Sequence, residues 1–117
     1  MTSRRTLLAA STLLPLLARP GRAQGAWPER TVRIVVPFAA GGVIDVVARL
    51  IAEPLGRAFG QSVIVENLPG AGSTIGARAV ARAAPDGCTL LLNGAAHPVI
   101  PVLYPDPGFD SVADFAP

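Results

Sequence analysis

Apolar residues along the chain change their spacing from one element to the next. The run 32–38 is β-branched and mostly apolar, which predicts a strand buried on both faces. Runs of similar character at 62–66 and 89–92 predict a second and a third strand. A helix is predicted between the first two strands, where apolar residues recur at helical spacing: Val47, Leu50, Ile51, Leu55, Ala58 and Phe59. A second helix is expected over about 74–83.

Single residues refine the course of these helices. Pro54 lies inside the first helical stretch, and an interior proline removes a backbone hydrogen bond, so we expect a kink or a break near Glu53. Gly60 is placed to end that helix. Ser73 or Thr74 is expected to cap the second helix through its side-chain oxygen.

The order of the elements predicts an α/β fold. Strand, turn and helix alternate, which is typical of a parallel sheet with helices packed on its faces. After Asn93 the pattern weakens, and prolines at 98, 101, 105 and 107 predict an irregular tail with room for about one helical turn near 111–115. Three strands are fewer than the roughly 5–6 of an average sheet, so we expect these elements to form an incomplete domain.

The first 26 residues have the pattern of an export signal peptide. Arg4 and Arg5 precede an uncharged run from 6 to 18 that is rich in leucine and alanine, and we expect cleavage after Ala23 or Ala26. The run is shorter than the roughly 20 residues of a membrane-spanning helix. It is also apolar all round, unlike an amphipathic surface helix. The paired arginines leave both the general secretory and the twin-arginine route open.

The leader accounts for the positive charge of the whole chain. Four of the ten basic residues precede Gln24, whereas all eight acidic residues follow it, so the net charge of +2 becomes −2 without the leader. This balance does not support a nucleic-acid-binding surface. Cys88 is the only cysteine, so no internal disulfide can form, and a small buried hydrophobic role is favoured over a reactive thiol.

Small, glycine-rich turns follow the predicted strands at 39–42, 69–72 and 93–96. In an open α/β sheet, ligands bind outside the carboxyl ends of the strands, where helix N-termini offer free N–H groups to a carboxylate or phosphate. The functional interpretation is therefore a cleft formed by three adjacent turns. The alternative is that short turns simply need glycine, and spacing alone does not decide between the two.

Other chemistry finds little support in the chain. The pattern Gly70-x-Gly72-x-x-x-Gly76 suggests a dinucleotide site, but the acidic residue expected after the next strand is replaced by Asn93. We therefore expect no cofactor, no metal and no catalytic residue. His97 is the single histidine, and a structural hydrogen-bonding role is favoured over catalysis. Asp45 could act as a base, but an acceptor for N–H groups in the first turn of a helix is the favoured interpretation.

Several longer motifs occur in register after the leader. They are Trp-Pro-Glu-Arg at 27–30, Val-Val-Pro-Phe-Ala-Ala-Gly-Gly at 35–42 with Asp45, Val-Glu-Asn-Leu-Pro-Gly-Ala-Gly at 65–72, Ala-Val-Ala-Arg-Ala-Ala-Pro-Asp-Gly at 79–87, Leu103-Tyr104, and Asp-Phe-Ala-Pro at 114–117. Together they resemble the substrate-binding proteins of tripartite tricarboxylate transporters, the Bug-type periplasmic receptors. The resemblance covers the whole chain after the leader.

The resemblance implies a type II periplasmic binding protein, in which two α/β lobes close on a small ligand. Family members are about three times this long, so residues 27–117 are expected to form part of the first lobe. The expected ligand is a small organic carboxylate, which is bound through backbone N–H groups, hydroxyls and ordered waters. The expected partners are the permease subunits of a tripartite transporter in the membrane. The full-length receptor is expected to be a periplasmic monomer and not an enzyme.

The resemblance also assigns candidate ligand-binding residues: Phe38, Ala40, Gly41, Gly42 and Asp45 in the first turn, Gly70, Ala71 and Gly72 in the second, and Gly94, Ala95, Ala96 and His97 in the third. The chain departs from the family where hydroxyl residues are common, since it has Val43-Ile44 before Asp45 and Gly94-Ala95-Ala96 after the third strand. Fewer hydroxyl donors imply either a more apolar ligand or a loss of binding.

Two alternative functions remain open at this point. The chain could be a degenerate fragment that binds nothing. It could also be a secreted enzyme that lacks its C-terminal half, with Ser73, Ser111, His97 and Asp45 as the available catalytic groups, although they form no recognised motif.

Overall fold

The fold was analysed in a computed structural model that describes residues 25–117. The predicted signal peptide, residues 1–26 with cleavage after Ala23 or Ala26, lies outside the described residues except for its last two positions.

Three parallel strands form the sheet. They are β1 (Val32–Val36), β2 (Val63–Asn67) and β3 (Thr89–Leu91), and β1 lies in the middle in the order β2-β1-β3. Val32 pairs with Val63 at the start of β1 and β2, and Ile34 pairs with Leu90 of β3. The predicted α/β class with a parallel sheet is therefore confirmed.

Helices connect the strands and extend beyond the third. They are α1 (Val43–Phe59), α2 (Thr74–Ala81) and α3 (Ile100–Leu103), and short 3₁₀ turns at Ala71–Ser73 and His97–Val99 lead into α2 and α3. Within residues 25–117, no helix is both long and apolar enough to cross a membrane. The prolines of the tail did not prevent α3, because Pro101 falls in its first turn, where a missing N–H costs no hydrogen bond.

Helix α1 covers one face of the sheet through small residues. Ala48 and Ala52 pack against Ile34 and Val36, and all four side chains are buried. Alanine lets the helix approach the strands closely, and the surrounding contacts come from larger, partly buried side chains: Phe38, Ile44, Leu55, Val63, Val65 and Leu92. Each fully buried Val or Ile contributes about 1.5–3 kcal/mol to folding.

Helix α2 contacts β1 and β3, and its approach depends on Gly76. A Cβ at this position would lie 2.8 Å from Cβ of Pro37 and 2.9 Å from the carbonyl oxygen of Leu68. Both atoms belong to the segments that leave β1 and β2, so α2 packs directly on the backbone there. Gly76 therefore has a packing role, which accounts for the third glycine of the Gly70-x-Gly72-x-x-x-Gly76 pattern without a nucleotide.

Of the kink or break expected near Glu53, the break is wrong, because α1 continues through Pro54 to Phe59, and the kink stays a prediction. Pro54 removes the hydrogen bond to the carbonyl of Leu50, but both residues are exposed, so water can satisfy that carbonyl. The prediction that Gly60 ends the helix is confirmed, since Gly60 adopts a left-handed conformation with φ 64° and ψ 20°.

The segment before β1 is tied to the amino-terminal edge of the sheet. Trp27 donates from Nε1 to the carbonyl oxygen of Asp86 at 3.0 Å, and its ring lies 5.1 Å from the ring of Phe59. Arg30 forms an ion pair with Asp86 at 2.6 Å. Cys88 follows Asp86 by two positions and is a buried free thiol, which agrees with the small hydrophobic role expected for it.

We predict that Gly76→Ala destabilises the fold by about 1–3 kcal/mol, because the added methyl group overlaps Pro37 and the Leu68 carbonyl. Urea denaturation of the chain measures the change. Gly94→Ala is the matched control, since its Cβ would lie 3.8 Å from the nearest atom, at ordinary contact distance. Equal stability of the two variants would contradict the close packing of α2.

Candidate functional site

The three predicted turns leave the same edge of the sheet. All three strands are parallel, and pairing continues one residue past them, with Leu68 N donating to Val36 O and Leu92 N to Val35 O, each at 2.9 Å. The segments 37–42, 68–73 and 92–97 therefore lie side by side, and we call them the loop edge. Its middle segment follows β1, because β1 lies between the other two strands.

Most of the candidate ligand-binding residues expose their backbone at the loop edge. The exposed ones are Ala40, Gly41, Gly42, Gly70, Ala71, Gly72, Ala95 and Ala96. Phe38, Gly94 and His97 are partly buried, and Asp45 is buried. The structure thus brings the candidate residues of the three turns together at the loop edge. Asp45 is the exception, because it is buried beneath that surface.

The carboxylate of Asp45 joins three elements. The residue is buried, with 3% of its surface exposed. Its Oδ2 accepts from the backbone N–H of Gly41 at 2.8 Å and from Nε of Arg49 at 3.0 Å. Its Oδ1 accepts from Nδ2 of Asn67 at 2.9 Å. We call Asp45, Arg49 and Asn67 the clasp. Asp45 is thus a structural acceptor, but its backbone donor is Gly41 in the turn before α1 and not, as expected, an N–H group in the first turn of the helix.

Asn67 is a structural residue of the site that the sequence reasoning missed. Besides Asp45, its Nδ2 donates to the carbonyl oxygen of Phe38 at 3.1 Å, and its Oδ1 accepts from Nη2 of Arg49 at 3.2 Å. The amide therefore ties the end of β2 to the turn after β1. The available signal was a polar residue at the last position of a β-branched strand.

Hydrogen bonds to the ionised form hold the pKa of Asp45 low. Arg49 has the largest effect, followed by the backbone N–H of Gly41 and the amide of Asn67, and together they lower the pKa from 3.8 to about 2. Asp45 is therefore ionised near neutral pH. A carboxylate with these partners is not available to accept a proton from a substrate.

The turn after β2 has an unusual backbone. Four consecutive residues have positive φ: Gly70 at 128°, Ala71 at 45°, Gly72 at 61° and Ser73 at 74°. Glycine adopts this region freely, whereas a side chain costs about 1–2 kcal/mol there. Ser73 is also buried, and its hydroxyl has no hydrogen-bond partner within residues 25–117. Strain of this kind is concentrated at functional sites.

The predicted side-chain cap of α2 is wrong. Ser73 occupies the cap position without a side-chain hydrogen bond, because its backbone is left-handed and not in the extended conformation that a capping residue adopts. The hydroxyl of Thr74 donates to the carbonyl oxygen of Ala71 at 2.9 Å instead. Gly42, which precedes α1, has no side chain to offer. Two helices thus begin at the loop edge without a side-chain cap. The N–H of Thr74 already donates to the carbonyl oxygen of Ala71, so the N–H groups that can receive an anion are the remaining ones of the first turn of α2 and those of α1.

The segment after β3 is held by His97. Its Nδ1 lies 3.1 Å from Nδ2 of Asn93, and its Nε2 lies 3.1 Å from the carbonyl oxygen of Ser111. The carbonyl can only accept, so the ring carries its proton on Nε2 and accepts at Nδ1. Both ring nitrogens are engaged, which agrees with a structural role. Neighbouring Phe115 packs edge-on against the ring, with centroids 5.1 Å apart.

A groove of about 700 Å³ lies along β3, away from the first two turns. Its lining is mostly apolar and includes Leu55, Leu90, Leu92 and Phe115, with Gly94 and His97 at one end. β3 pairs with β1 on one side, and within the described residues its other side has no strand partner. The groove therefore follows the free edge of the sheet and reaches the loop edge only at its third segment, residues 92–97.

Comparison with known proteins identifies relatives over most of the chain. Residues 47–117 match the family described as the tripartite tricarboxylate transporter family receptor. A UPF0065 protein of Bordetella bronchiseptica is 48% identical over 114 residues, which cover 97% of this chain and 34% of that protein. The chain spans about a third of the length of the curated relatives it matches.

Solved structures show the same relation. The periplasmic binding protein BugD is 50% identical and superimposes with a TM-score of 0.74, over 78% of this chain and 30% of that one. MatC from Rhodopseudomonas palustris, solved with bound malate, is 45% identical with a TM-score of 0.67, over 78% of this chain and 31% of that one.

We predict that the clasp makes stability depend on pH in acid. The pKa of Asp45 is about 2 in the folded state, below its ordinary value of 3.8, so its contribution is complete above about pH 4 and is lost as the pH falls toward 2. Urea midpoints of the chain and of Asp45→Asn should therefore differ near neutral pH and converge in acid. A difference that stays constant down to about pH 2 would contradict the clasp.

Asp106→Asn is the control for this experiment. Asp106 is exposed and makes no side-chain hydrogen bond within residues 25–117. Its substitution removes the same charge without touching the clasp, so the pH profile of the urea midpoint should keep the shape of the parent chain.

We also predict that Ser73→Gly stabilises the chain by about 1 kcal/mol, because glycine relieves the positive φ and removes the unpaired hydroxyl. Ser62→Gly is the matched control at an exposed serine with negative φ, where glycine should cost about 0.5–1 kcal/mol. Urea denaturation measures both variants. Loss of stability in both would show that the turn is not strained.

Proposed function

This chain belongs to the tripartite tricarboxylate transporter receptor family, and we propose that it captures a small organic carboxylate at its loop edge. The likeness to MatC, which was solved with malate, supports a carboxylate ligand. The likeness to the periplasmic binding protein BugD supports a periplasmic location, which the pattern of the first 26 residues also favours.

The observation that carries this proposal is the pair of uncapped helix N-termini. Helices α1 and α2 begin at the same sheet edge, and neither Gly42 nor Ser73 satisfies the first N–H groups through a side chain. Each helix start carries about half a positive charge from its aligned peptide dipoles. A carboxylate seated between them would receive several backbone N–H donors without any cationic side chain.

The charged groups of this region support binding rather than catalysis. Arg49 is paired with Asp45, so the clasp leaves no free carboxylate to act as a base. His97 has both ring nitrogens engaged, by Asn93 and by the Ser111 carbonyl. His97 contacts Ser111 only at its backbone carbonyl, and within residues 25–117 the hydroxyls of Ser73 and Ser111 make no hydrogen bond, so neither serine is paired with a base. We propose that the chain acts as a receptor and not as an enzyme.

We further propose that residues 27–117 form part of the first lobe of a two-lobed receptor. The chain spans about a third of its curated relatives, and the apolar groove along the free edge of β3 is a surface that further elements of such a lobe would cover. A receptor of this kind is a monomer that delivers its ligand to the permease subunits of a tripartite transporter, and we propose both properties for the full-length protein.

Calorimetric titration of the chain with malate tests the proposed ligand class. We expect binding of malate and at least about tenfold weaker binding of its uncharged diamide, because a hydrogen bond from N–H to an ionised acceptor is about twice as strong as one to a neutral acceptor. Equal affinity for the acid and the diamide would contradict a site built from helix N-termini. No heat with any carboxylate in a small panel would favour the non-binding alternative.

A substitution at the loop edge locates the site. Gly42→Leu should abolish malate binding without unfolding the chain, because Gly42 is exposed and has φ −75° and ψ 167°, which any residue adopts. Val112→Leu is the control on the exposed tail, where the residue is 83% exposed, and it should leave the affinity unchanged. Unchanged affinity in Gly42→Leu would place the site elsewhere.

A further inference from the structure

The chain after β3 returns to the second turn of the loop edge. The short helix α3 is anchored by Ile100, which is 1% exposed, and it ends at Tyr104, whose N–H donates to the carbonyl oxygen of Ile100 at 2.8 Å. Tyr104 therefore lies on a segment that is held by a buried side chain and by helical hydrogen bonding. The fold therefore fixes the position of Tyr104.

The phenol ring of Tyr104 rests on the backbone of Gly72. A Cβ at Gly72 would overlap the Tyr104 hydroxyl oxygen and would lie 2.8 Å from two carbons of the ring. Gly72 also has φ 61°, so both the backbone conformation and the neighbouring ring require glycine there. The contact brings a residue from beyond the third strand onto the turn that precedes α2.

The hydroxyl of Tyr104 is available as a donor. Tyr104 is 36% exposed, and within residues 25–117 its hydroxyl makes no hydrogen bond. It lies beside the turn 70–73, from which the uncapped start of α2 follows. A phenol donates one neutral hydrogen bond, which suits a carboxylate oxygen that already accepts from backbone N–H groups.

We propose that Tyr104 contacts the ligand and that its hydroxyl donates to the carboxylate bound over Gly72. This inference rests on the proposed carboxylate-binding function and names a residue of the same site. Tyr104 would supply a hydroxyl donor at a site where Val43 and Ile44 at the start of α1, and Ala95 and Ala96 in the loop edge, offer none. The contrasting role is packing alone, in which the ring supports the turn and the hydroxyl faces solvent.

Tyr104→Phe tests the role of the hydroxyl, because it keeps the ring on Gly72 and removes only the donor. We expect malate affinity to fall about threefold to tenfold in calorimetric titration, with an unchanged urea midpoint. Val102→Ala is the control, since Val102 belongs to the same helix and is 79% exposed, and its malate affinity should not change. Unchanged affinity in Tyr104→Phe overturns the inference.

A spectroscopic readout separates ligand contact from packing. The chain has one tyrosine and one tryptophan, and Trp27 lies at the opposite, amino-terminal edge of the sheet beside Asp86. With isotope-labelled tyrosine and tryptophan, malate should shift the ring resonances of Tyr104 and leave those of Trp27 in place. Malate binding that leaves Tyr104 unshifted overturns this inference alone. An absence of malate binding to the parent chain overturns the proposed function and this inference together.

Discussion

The loop edge depends on the buried carboxylate of Asp45. An ionised carboxylate is costly to bury unless its oxygens are satisfied, and here one side chain accepts from Gly41, Arg49 and Asn67. These partners belong to the turn after β1, to α1 and to the last position of β2. The requirement to satisfy one charge therefore holds the start of α1 and the ends of two strands in a single arrangement, from which the adjacent turns emerge.

This arrangement also determines which groups remain for a ligand. The clasp uses the nearby carboxylate, guanidinium and amide, and His97 uses both of its ring nitrogens. What the loop edge presents to solvent is mainly backbone, at turns that are small or left-handed, next to two helix N-termini without side-chain caps. Exposed backbone groups can hold a ligand by hydrogen bonds but supply no acid, base or nucleophile. A surface of this kind suits a receptor, and the chain belongs to a receptor family. Tyr104 adds a side-chain donor that only the return of the chain places there.

The elements that the sequence predicted correctly are those governed by local chemistry. Three mostly apolar runs became the three parallel strands. Gly60 ended α1 because glycine readily adopts the left-handed conformation that closes a helix. The errors arose where the surroundings changed the cost of a local feature. Pro54 did not break α1, because the carbonyl it leaves unpaired lies on the exposed side of the helix. Ser73 did not cap α2, because the turn holds it at φ 74°.

The sequence alone therefore determined the α/β class, the strand order along the chain, the family resemblance and the three small turns that follow strands, since hydrophobic spacing and glycine content are readable residue by residue. The tertiary structure decided which polar side chains are engaged in hydrogen bonds that hold the fold and which remain available to a ligand. Asn67 binds Asp45, which lies 22 positions earlier in the sequence. Tyr104 packs on Gly72, which lies 32 positions earlier. Such contacts follow from the parallel register and from the burial of Ile100, and no local pattern records them.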